Sequence, residues 1–88
     1  MPRVLLVTSE GCKPCSRVKR VLGELQSMMP TLTVETIDLA SAEGAKLAVE
    51  NGILYPPAVF IEGRLFGKGK IDSERMTESI REMGRVHD

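Results

Sequence analysis

The stretch that decides the fold runs from an apolar VLLV at positions 4–7 to a CKPC motif at positions 12–15, followed by helical spacing from Ser16. This pattern predicts a buried strand, a short loop and a helix, with both cysteines at the strand-to-helix turn. At a helix N-terminus, unpaired backbone N–H groups and the helix dipole stabilise a thiolate, here that of Cys12. Cys15 lies about one turn further along, close enough to attack a mixed disulfide. The pattern indicates thiol–disulfide exchange, in which Cys12 attacks and Cys15 resolves.

Size and composition fit one small domain spanning residues 1–88. The chain has 88 residues and no Gly-, Ser- or Pro-rich run that would serve as a linker. Apolar residues make up 42% of the sequence but aromatic residues only 3%, so the core must consist mainly of aliphatic side chains. Twelve basic residues balance twelve acidic ones, which gives no reason to expect a nucleic acid or an anionic membrane as a partner.

Cysteine content and hydropathy both favour a cytoplasmic protein. Two cysteines close together, with none left over, do not form the disulfide framework of a small secreted domain. In a reducing compartment such a pair indicates catalysis or metal binding. The apolar run at positions 4–7 is too short to span a bilayer and lacks the pattern of a secretory signal. We therefore expect no membrane association and a cytoplasmic location.

Periodicity predicts seven elements in the order βαβαββα. Strands are expected at 3–8, 33–38, 58–61 and 64–66, and helices at about 14–29 and 42–50. A last helix, capped by Asp72 or Ser73, should run to about Met83. Ser41 is the expected cap of the second helix, which should end at Asn51 and Gly52. The residues of that helix expected to point inward are Ala45, Leu47, Ala48 and Val49.

This element order, with CKPC after the first strand and a proline before the third, resembles the thioredoxin-like fold in its short glutaredoxin-type form. The resemblance covers nearly the whole chain and extends to small redoxins such as the archaeal mini-thioredoxins. It implies an α/β domain in which a four-stranded mixed sheet is flanked by helices. It also implies a thiol–disulfide oxidoreductase that reduces or exchanges disulfides.

In this family a cis-proline that faces the active-site cysteines precedes the third strand. The stretch YPPAVFIEG at positions 55–63 matches that frame, so the resemblance implies a cis bond between Pro56 and Pro57. It further implies that Pro57 keeps metal from the cysteines and that the backbone of Pro56 faces a substrate strand. Because Pro56 has no N–H, only its carbonyl can bond to that strand.

Two departures from the glutaredoxin pattern bear on glutathione. Glutaredoxins carry a lysine three residues before the first cysteine, where this chain has Ser9 next to Glu10, and a Gly-Gly pair after the fourth strand. The corresponding region here reads GKGK at positions 67–70. We expect Gly67 and Lys68 to take part in substrate binding. Lys68 or Lys70 could attract a carboxylate. We expect reduction by glutathione to be inefficient relative to reduction by a thioredoxin reductase.

The remaining candidate residues surround the cysteines. Lys13 either favours the Cys12 thiolate by its charge, contacts substrate carboxylates, or is simply solvated, while Pro14 suits the first turn of the helix. Thioredoxins place a buried aspartate six residues before the first cysteine, where this chain has Leu6. The base for Cys15 is then Glu10, Lys13 or water.

Two further groups of side chains have open roles. Tyr55 either forms a wall toward the substrate or packs against the second helix. The basic residues at positions 17–20 form either a solvated helix face or a surface that steers an acidic partner.

Two rival functions use the same cysteines. A zinc site would need two more ligands, and the single histidine is His87. The remaining metal hypothesis is a dimer that shares a metal or an iron–sulfur cluster between two pairs of Cys12 and Cys15. The other rival is an interaction module switched by the redox state of this pair without turnover.

The favoured function needs no bound cofactor and no metal, only a redox-active disulfide between Cys12 and Cys15. Its expected partners are thioredoxin reductase or glutathione as electron donor and disulfide-containing proteins as substrates. We expect the protein to act as a monomer.

Overall fold

The structure is a computed structural model that describes residues 2–85. Its elements are β1 (Arg3–Thr8), α1 (Lys13–Met28), β2 (Thr33–Asp38), α2 (Ala42–Asn51), β3 (Ala58–Ile61), β4 (Arg64–Lys68) and α3 (Ser73–Arg85). The predicted order βαβαββα is confirmed. The largest difference at a strand end is in β4, which continues two residues beyond the predicted Phe66 to Lys68.

The sheet has the strand order β2-β1-β3-β4, with β1 parallel to β2 and antiparallel to β3. The predicted four-stranded mixed sheet flanked by helices is confirmed. At the C-terminal end of β1, Val7 pairs with Ala58 of β3 and Thr8 pairs with Asp38 of β2. The loop that follows β1 therefore leaves the sheet at the same edge at which the chain enters β3.

Side chains on β1 alternate between two cores, as the two-residue period of a strand requires. Val4 and Leu6 belong to a cluster under α1 and α3, whose buried members also include Val18, Leu22, Leu25, Leu32, Val59, Ile61, Met76 and Ile80. Val7 belongs to a smaller cluster on the other face of the sheet, with Ile53, Ala58 and Phe60, against which Leu47 and Ala48 of α2 pack. Both cores are mainly aliphatic, as the composition predicts.

The long helix α1 is held on the sheet by one apolar face. Val18, Leu22 and Leu25 are spaced by four and three residues and all are buried, which is the pattern of an amphipathic helix. Pro14 lies in the first turn, where no N–H is needed for a helical hydrogen bond. This packing fixes the N-terminus of α1, and with it the two cysteines.

The inward face of α2 differs from the prediction at two positions. Leu47 and Ala48 are half-buried as expected, but Ala45 is exposed and Val49 is 85% exposed. At about 100° per residue, a helix that rests on the sheet through Gly44, Leu47 and Ala48 must turn Ala45 and Val49 away. The prediction was wrong for those two because apolar character alone does not choose the face of so short a helix.

Both ends of α2 form as predicted. The Ser41 hydroxyl oxygen accepts a hydrogen bond from the Gly44 N–H at 3.0 Å, which caps the first turn. At the other end Gly52 has φ +65°, and its N–H donates to the carbonyl of Ala48, a left-handed ending that favours glycine. None of the helices within residues 2–85 is long and apolar enough to cross a membrane.

Gly44 lies close against the backbone of the chain that leads into α2. A Cβ at this position would overlap the carbonyl oxygen of Asp38 and lie 2.9 Å from the Cα of Leu39. Because backbone atoms cannot rotate away, Gly44→Ala should destabilise the fold by about 1–3 kcal/mol, the usual cost of overpacking. Urea unfolding followed by circular dichroism measures this change.

Gly23→Ala is the matched control. Gly23 lies within α1, and a Cβ there meets no atom within 4 Å, so this variant should gain about 0.5–1 kcal/mol from helix propensity. Equal stability of Gly44→Ala and the parent protein would show that α2 sits further from the loop than described.

Candidate active site

Cys12 and Cys15 lie at the junction of β1 and α1 and form a disulfide, with their Cα atoms 5.2 Å apart. Gly11, at φ +77°, lets the loop turn sharply into the helix. Cys12 is the N-cap residue and Cys15 lies in the first turn. Cys12 is partly exposed, whereas Cys15 is only 2% exposed. A second molecule can therefore reach the sulfur of Cys12 far more readily than that of Cys15.

The sulfur of Cys12 takes the place of the oxygen in an ordinary helix cap. Its Sγ accepts a hydrogen bond from the backbone N–H of Cys15 at 3.1 Å, and the N–H of Ser16 donates to the carbonyl of Cys12 at 3.3 Å. These N–H groups carry the positive end of the helix dipole. The backbone N–H of Cys15 is therefore already in place to stabilise a negative charge on the sulfur of Cys12.

A shallow groove of about 380 Å³ runs beside the disulfide. It is lined by Thr8, Ser9, Gly11, Cys12, Lys13, Cys15, Ser16 and Lys19. Lys13 and Lys19 are the charged residues of this lining, and both are exposed. Glu10 is also exposed but does not line the groove. The walls next to the sulfurs therefore carry positive charge.

No carboxylate lies buried beneath the disulfide in the part of the chain that the structure describes. Leu6, six residues before Cys12, is fully buried in the aliphatic core, and no polar or charged side chain among residues 2–84 is buried. A proton that leaves Cys15 must therefore be accepted by a group at the protein surface.

The loop before β3 lies at the same sheet edge as the cysteines. The bond between Pro56 and Pro57 is cis, which confirms the prediction. Pro57 is fully buried, and its carbonyl accepts a hydrogen bond from the N–H of Gly69 at 2.7 Å. Because the carbonyl of Pro57 already accepts a hydrogen bond within the protein, the carbonyl of Pro56 is the better candidate for a hydrogen bond to another chain.

Tyr55 packs on the turn after β4. A Cβ built on Gly69 would lie 3.0 Å from Cε2 of the tyrosine ring, which places the ring over this glycine. Tyr55 nevertheless remains 63% exposed, and the neighbouring Leu54 is 88% exposed. Leu54 was not among the predicted site residues, although an apolar residue in a loop two positions before Pro-Pro was a usable signal.

Lys68, predicted to bind substrate, makes hydrogen bonds within the protein. Its Nζ donates to the carbonyls of Asn51 and Gly52, at 3.2 and 3.0 Å, at the C-terminal end of α2. Gly67 is half-buried in β4, where a Cβ would lie 3.1 Å from Cδ1 of Ile71. Both residues thus have internal contacts, although the side chain of Lys68, like that of Lys70, is exposed.

The structure brings no further metal ligands to the cysteines within residues 2–85. No group of three or more His, Cys, Asp or Glu side chains in this range could hold a metal ion. His87, which the sequence analysis considered as a ligand, lies outside the described residues.

Structural comparison finds thioredoxins. Thioredoxin O1 of Arabidopsis thaliana in the oxidised state superposes with a TM-score of 0.72 and 21% identity, over 93% of this chain and 77% of its own. Mitochondrial thioredoxin 3 of Saccharomyces cerevisiae, also oxidised, gives a TM-score of 0.69 and 21% identity, over 92% of this chain and 77% of its own. These likenesses establish the thioredoxin-like fold.

Sequence comparison identifies the family. No family model matches the chain. A thioredoxin of Methanocaldococcus jannaschii is 32% identical over 80 residues, which cover 90% of this chain and 92% of that protein. This agrees with the resemblance to archaeal mini-thioredoxins. The chain belongs to the thioredoxin family.

Proposed function

We propose a mechanism for this thiol–disulfide oxidoreductase in which Cys12 attacks the substrate and Cys15 resolves the mixed disulfide. The observation that carries the proposal is the difference between the two sulfurs, since Cys12 is partly exposed and capped by an N–H while Cys15 is shielded. An exposed thiolate at a helix N-terminus is the expected nucleophile.

The cycle transfers two electrons to the substrate. In the reduced protein the Cys12 thiolate attacks one sulfur of the substrate disulfide, whose S–S bond breaks and releases one substrate thiolate. Cys15 loses its proton and its thiolate attacks Sγ of Cys12, which expels the second substrate thiolate. The substrate is then reduced and the protein is oxidised to the Cys12–Cys15 disulfide.

The surface next to Cys12 supplies the proton acceptor for Cys15. With Leu6 in the core and no buried carboxylate among the described side chains, the candidates are Glu10 and water, because the Lys13 ammonium has no lone pair with which to accept a proton. Each of them lies on the solvent side, so deprotonation of Cys15 requires access to the surface of the site.

The loop before β3 provides the docking edge for a substrate strand. The carbonyl of Pro56 would accept the hydrogen bond from that strand, and the exposed side chains of Leu54 and Tyr55, which precede it in the chain, would supply apolar contacts. One backbone hydrogen bond with apolar contacts gives this loop a modest share of the binding affinity and little dependence on the side chains of the substrate strand that pairs with it.

Replacing each cysteine tests the assigned roles. Cys15→Ser should accumulate a mixed disulfide through Cys12, because attack remains possible while resolution does not. Cys12→Ser should lose insulin reduction, because the remaining thiol is shielded. Mass spectrometry of the trapped adduct and turbidity of insulin measure the two effects. Substantial activity of Cys12→Ser would show that the nucleophile is assigned wrongly.

A thioredoxin reductase is the proposed electron donor, in a reducing cytoplasm where the dithiol can cycle. Membership of the thioredoxin family supports this choice. The two positions at which the chain departs from the glutaredoxin pattern also support it. Ser9 stands where glutaredoxins have a lysine, and the ammonium of Lys68 is bonded to carbonyls at the C-terminal end of α2.

NADPH with thioredoxin reductase should therefore drive disulfide reduction several-fold faster than NADPH with glutathione and glutathione reductase. The oxidation of NADPH at matched protein concentration measures both rates. Equal or faster turnover with glutathione would instead place the protein functionally with the glutaredoxins.

Lys68 is proposed to position the docking edge rather than to touch substrate. Its bonds to Asn51 and Gly52 hold the chain just ahead of the loop at positions 53–57. Lys68→Met should lower stability by about 0.5–1 kcal/mol, because a cation at a helix C-terminus is lost. It should also raise KM for a protein disulfide while leaving the alkylation rate of Cys12 unchanged.

Lys68→Arg should restore the KM, and Lys46→Met is the matched control. Lys46 is an exposed lysine of α2, so its loss removes the same charge without releasing the loop. If Lys68→Met and Lys46→Met had the same KM, the positioning role of Lys68 would be excluded.

A further inference from the structure

The first two turns of α1 carry four cations and no anion. We call Lys13, Arg17, Lys19 and Arg20 the α1 cation cluster; the nearest acidic residues along the chain are Glu10 and Glu24. All four side chains are exposed. The ion pair found among the described side chains joins Arg3 and Glu35, so no member of the cluster is neutralised by a salt bridge there.

This placement does not serve the stability of the helix. Cations near a helix N-terminus oppose the helix dipole, and like charges four residues apart, such as Lys13 and Arg17, repel each other. Acidic residues are absent from the first turn of α1, where they would help, whereas Glu43 and Glu74 occupy the first turns of α2 and α3. Of the three helices that the structure describes, only α1 lacks an acidic residue in its first turn. Since its cations do not stabilise the helix, their placement points to a role in binding.

The cluster also polarises a protein whose net charge is zero. The chain has twelve basic and twelve acidic residues, so removing the four cations leaves eight against twelve, a net of −4 for the rest. The positive end coincides with the N-terminus of α1 and hence with the disulfide. Such a field turns this end toward a negative partner as the two molecules approach.

The extent of the cluster favours a polypeptide partner over a small thiol. Lys13, Arg17 and Arg20 are spaced by four and three residues, so they lie on one helix face and span about 10 Å along its axis. Lys13 and Lys19 additionally line the groove beside Cys12. Contacts along two turns require several carboxylates on one chain, in fixed relation to the disulfide that Cys12 attacks.

Resting on the proposed function, we propose that the α1 cation cluster selects protein substrates whose disulfide is flanked by acidic residues. Binding places those carboxylates along α1 while Cys12 attacks the disulfide. The cluster acts on the rate of encounter and on KM, since its charges are exposed and remain sensitive to salt.

Three peptides that contain the same disulfide, flanked by aspartate, by glutamine or by lysine, test this selection, with glutathione disulfide as a fourth substrate. The parent protein should reduce the aspartate peptide with a kcat/KM about tenfold above that of the lysine peptide at low salt. The ratio should fall below about twofold at about 0.5 M salt, where charges are screened.

The double variant Arg17→Gln/Arg20→Gln should lose most of the preference for aspartate over lysine. Arg64→Gln/Arg81→Gln is the matched control, because it removes two exposed cations from β4 and from the C-terminal half of α3. This control should keep the parent preference.

Each of the following results would overturn the proposed selection of substrates with acidic residues beside the disulfide. Equal rates for the three peptides would refute it while leaving disulfide reduction itself established. Equal loss in both double variants would assign the preference to overall charge. Faster reduction of glutathione disulfide than of the aspartate peptide would exclude a polypeptide partner, and failure to reduce any disulfide would refute the proposed function as well.

Discussion

Backbone pairing on both edges of β1 is the constraint on which the site depends. Because β1 is bonded to β2 on one side and β3 on the other, its direction and register are fixed, and the chain beyond Thr8 must leave at one defined edge. The N–H of Leu39 donates to the carbonyl of Thr8 at 2.8 Å and closes the ladder there. Ala58 enters β3 opposite Val7, so one register places both the cysteine loop and Pro57.

The aliphatic core supports this arrangement and also limits the chemistry. Leu6, Leu22, Met76 and Ile80 are fully buried, and the sheet is therefore a rigid platform beneath α1. The same core leaves no buried acid under the disulfide in the described part of the chain, so ionisation of both thiols depends on the helix N-terminus, surface groups and water. The exposed cations that we propose to select the partner lie on the same helix as the two sulfurs.

Much of the fold and the central chemistry of the site follow from local sequence signals. The Cys-x-x-Cys pair and the apolar periodicity of α1 act within a few residues, and each predicts a feature that the structure contains. The cis bond before Pro57 is also present, but it was predicted from the resemblance to the thioredoxin-like family. The face of α2 was harder, because Ala45 and Val49 are as apolar as Ala48 and only contact with the sheet decides between them. The contacts of Lys68 with Asn51 and of Tyr55 with Gly69 join distant segments, and no local pattern encodes them.

The central claim is that Cys12 is the reactive thiol, and the most direct measurement is competitive alkylation of the fully reduced protein. A limiting amount of iodoacetamide at neutral pH, followed by peptide mass spectrometry, reports which sulfur reacts first. The partly exposed position of Cys12 at the N-terminus of α1 and the burial of Cys15 predict that Cys12 is labelled well before Cys15. Preferential labelling of Cys15 would contradict the account and reverse the two roles.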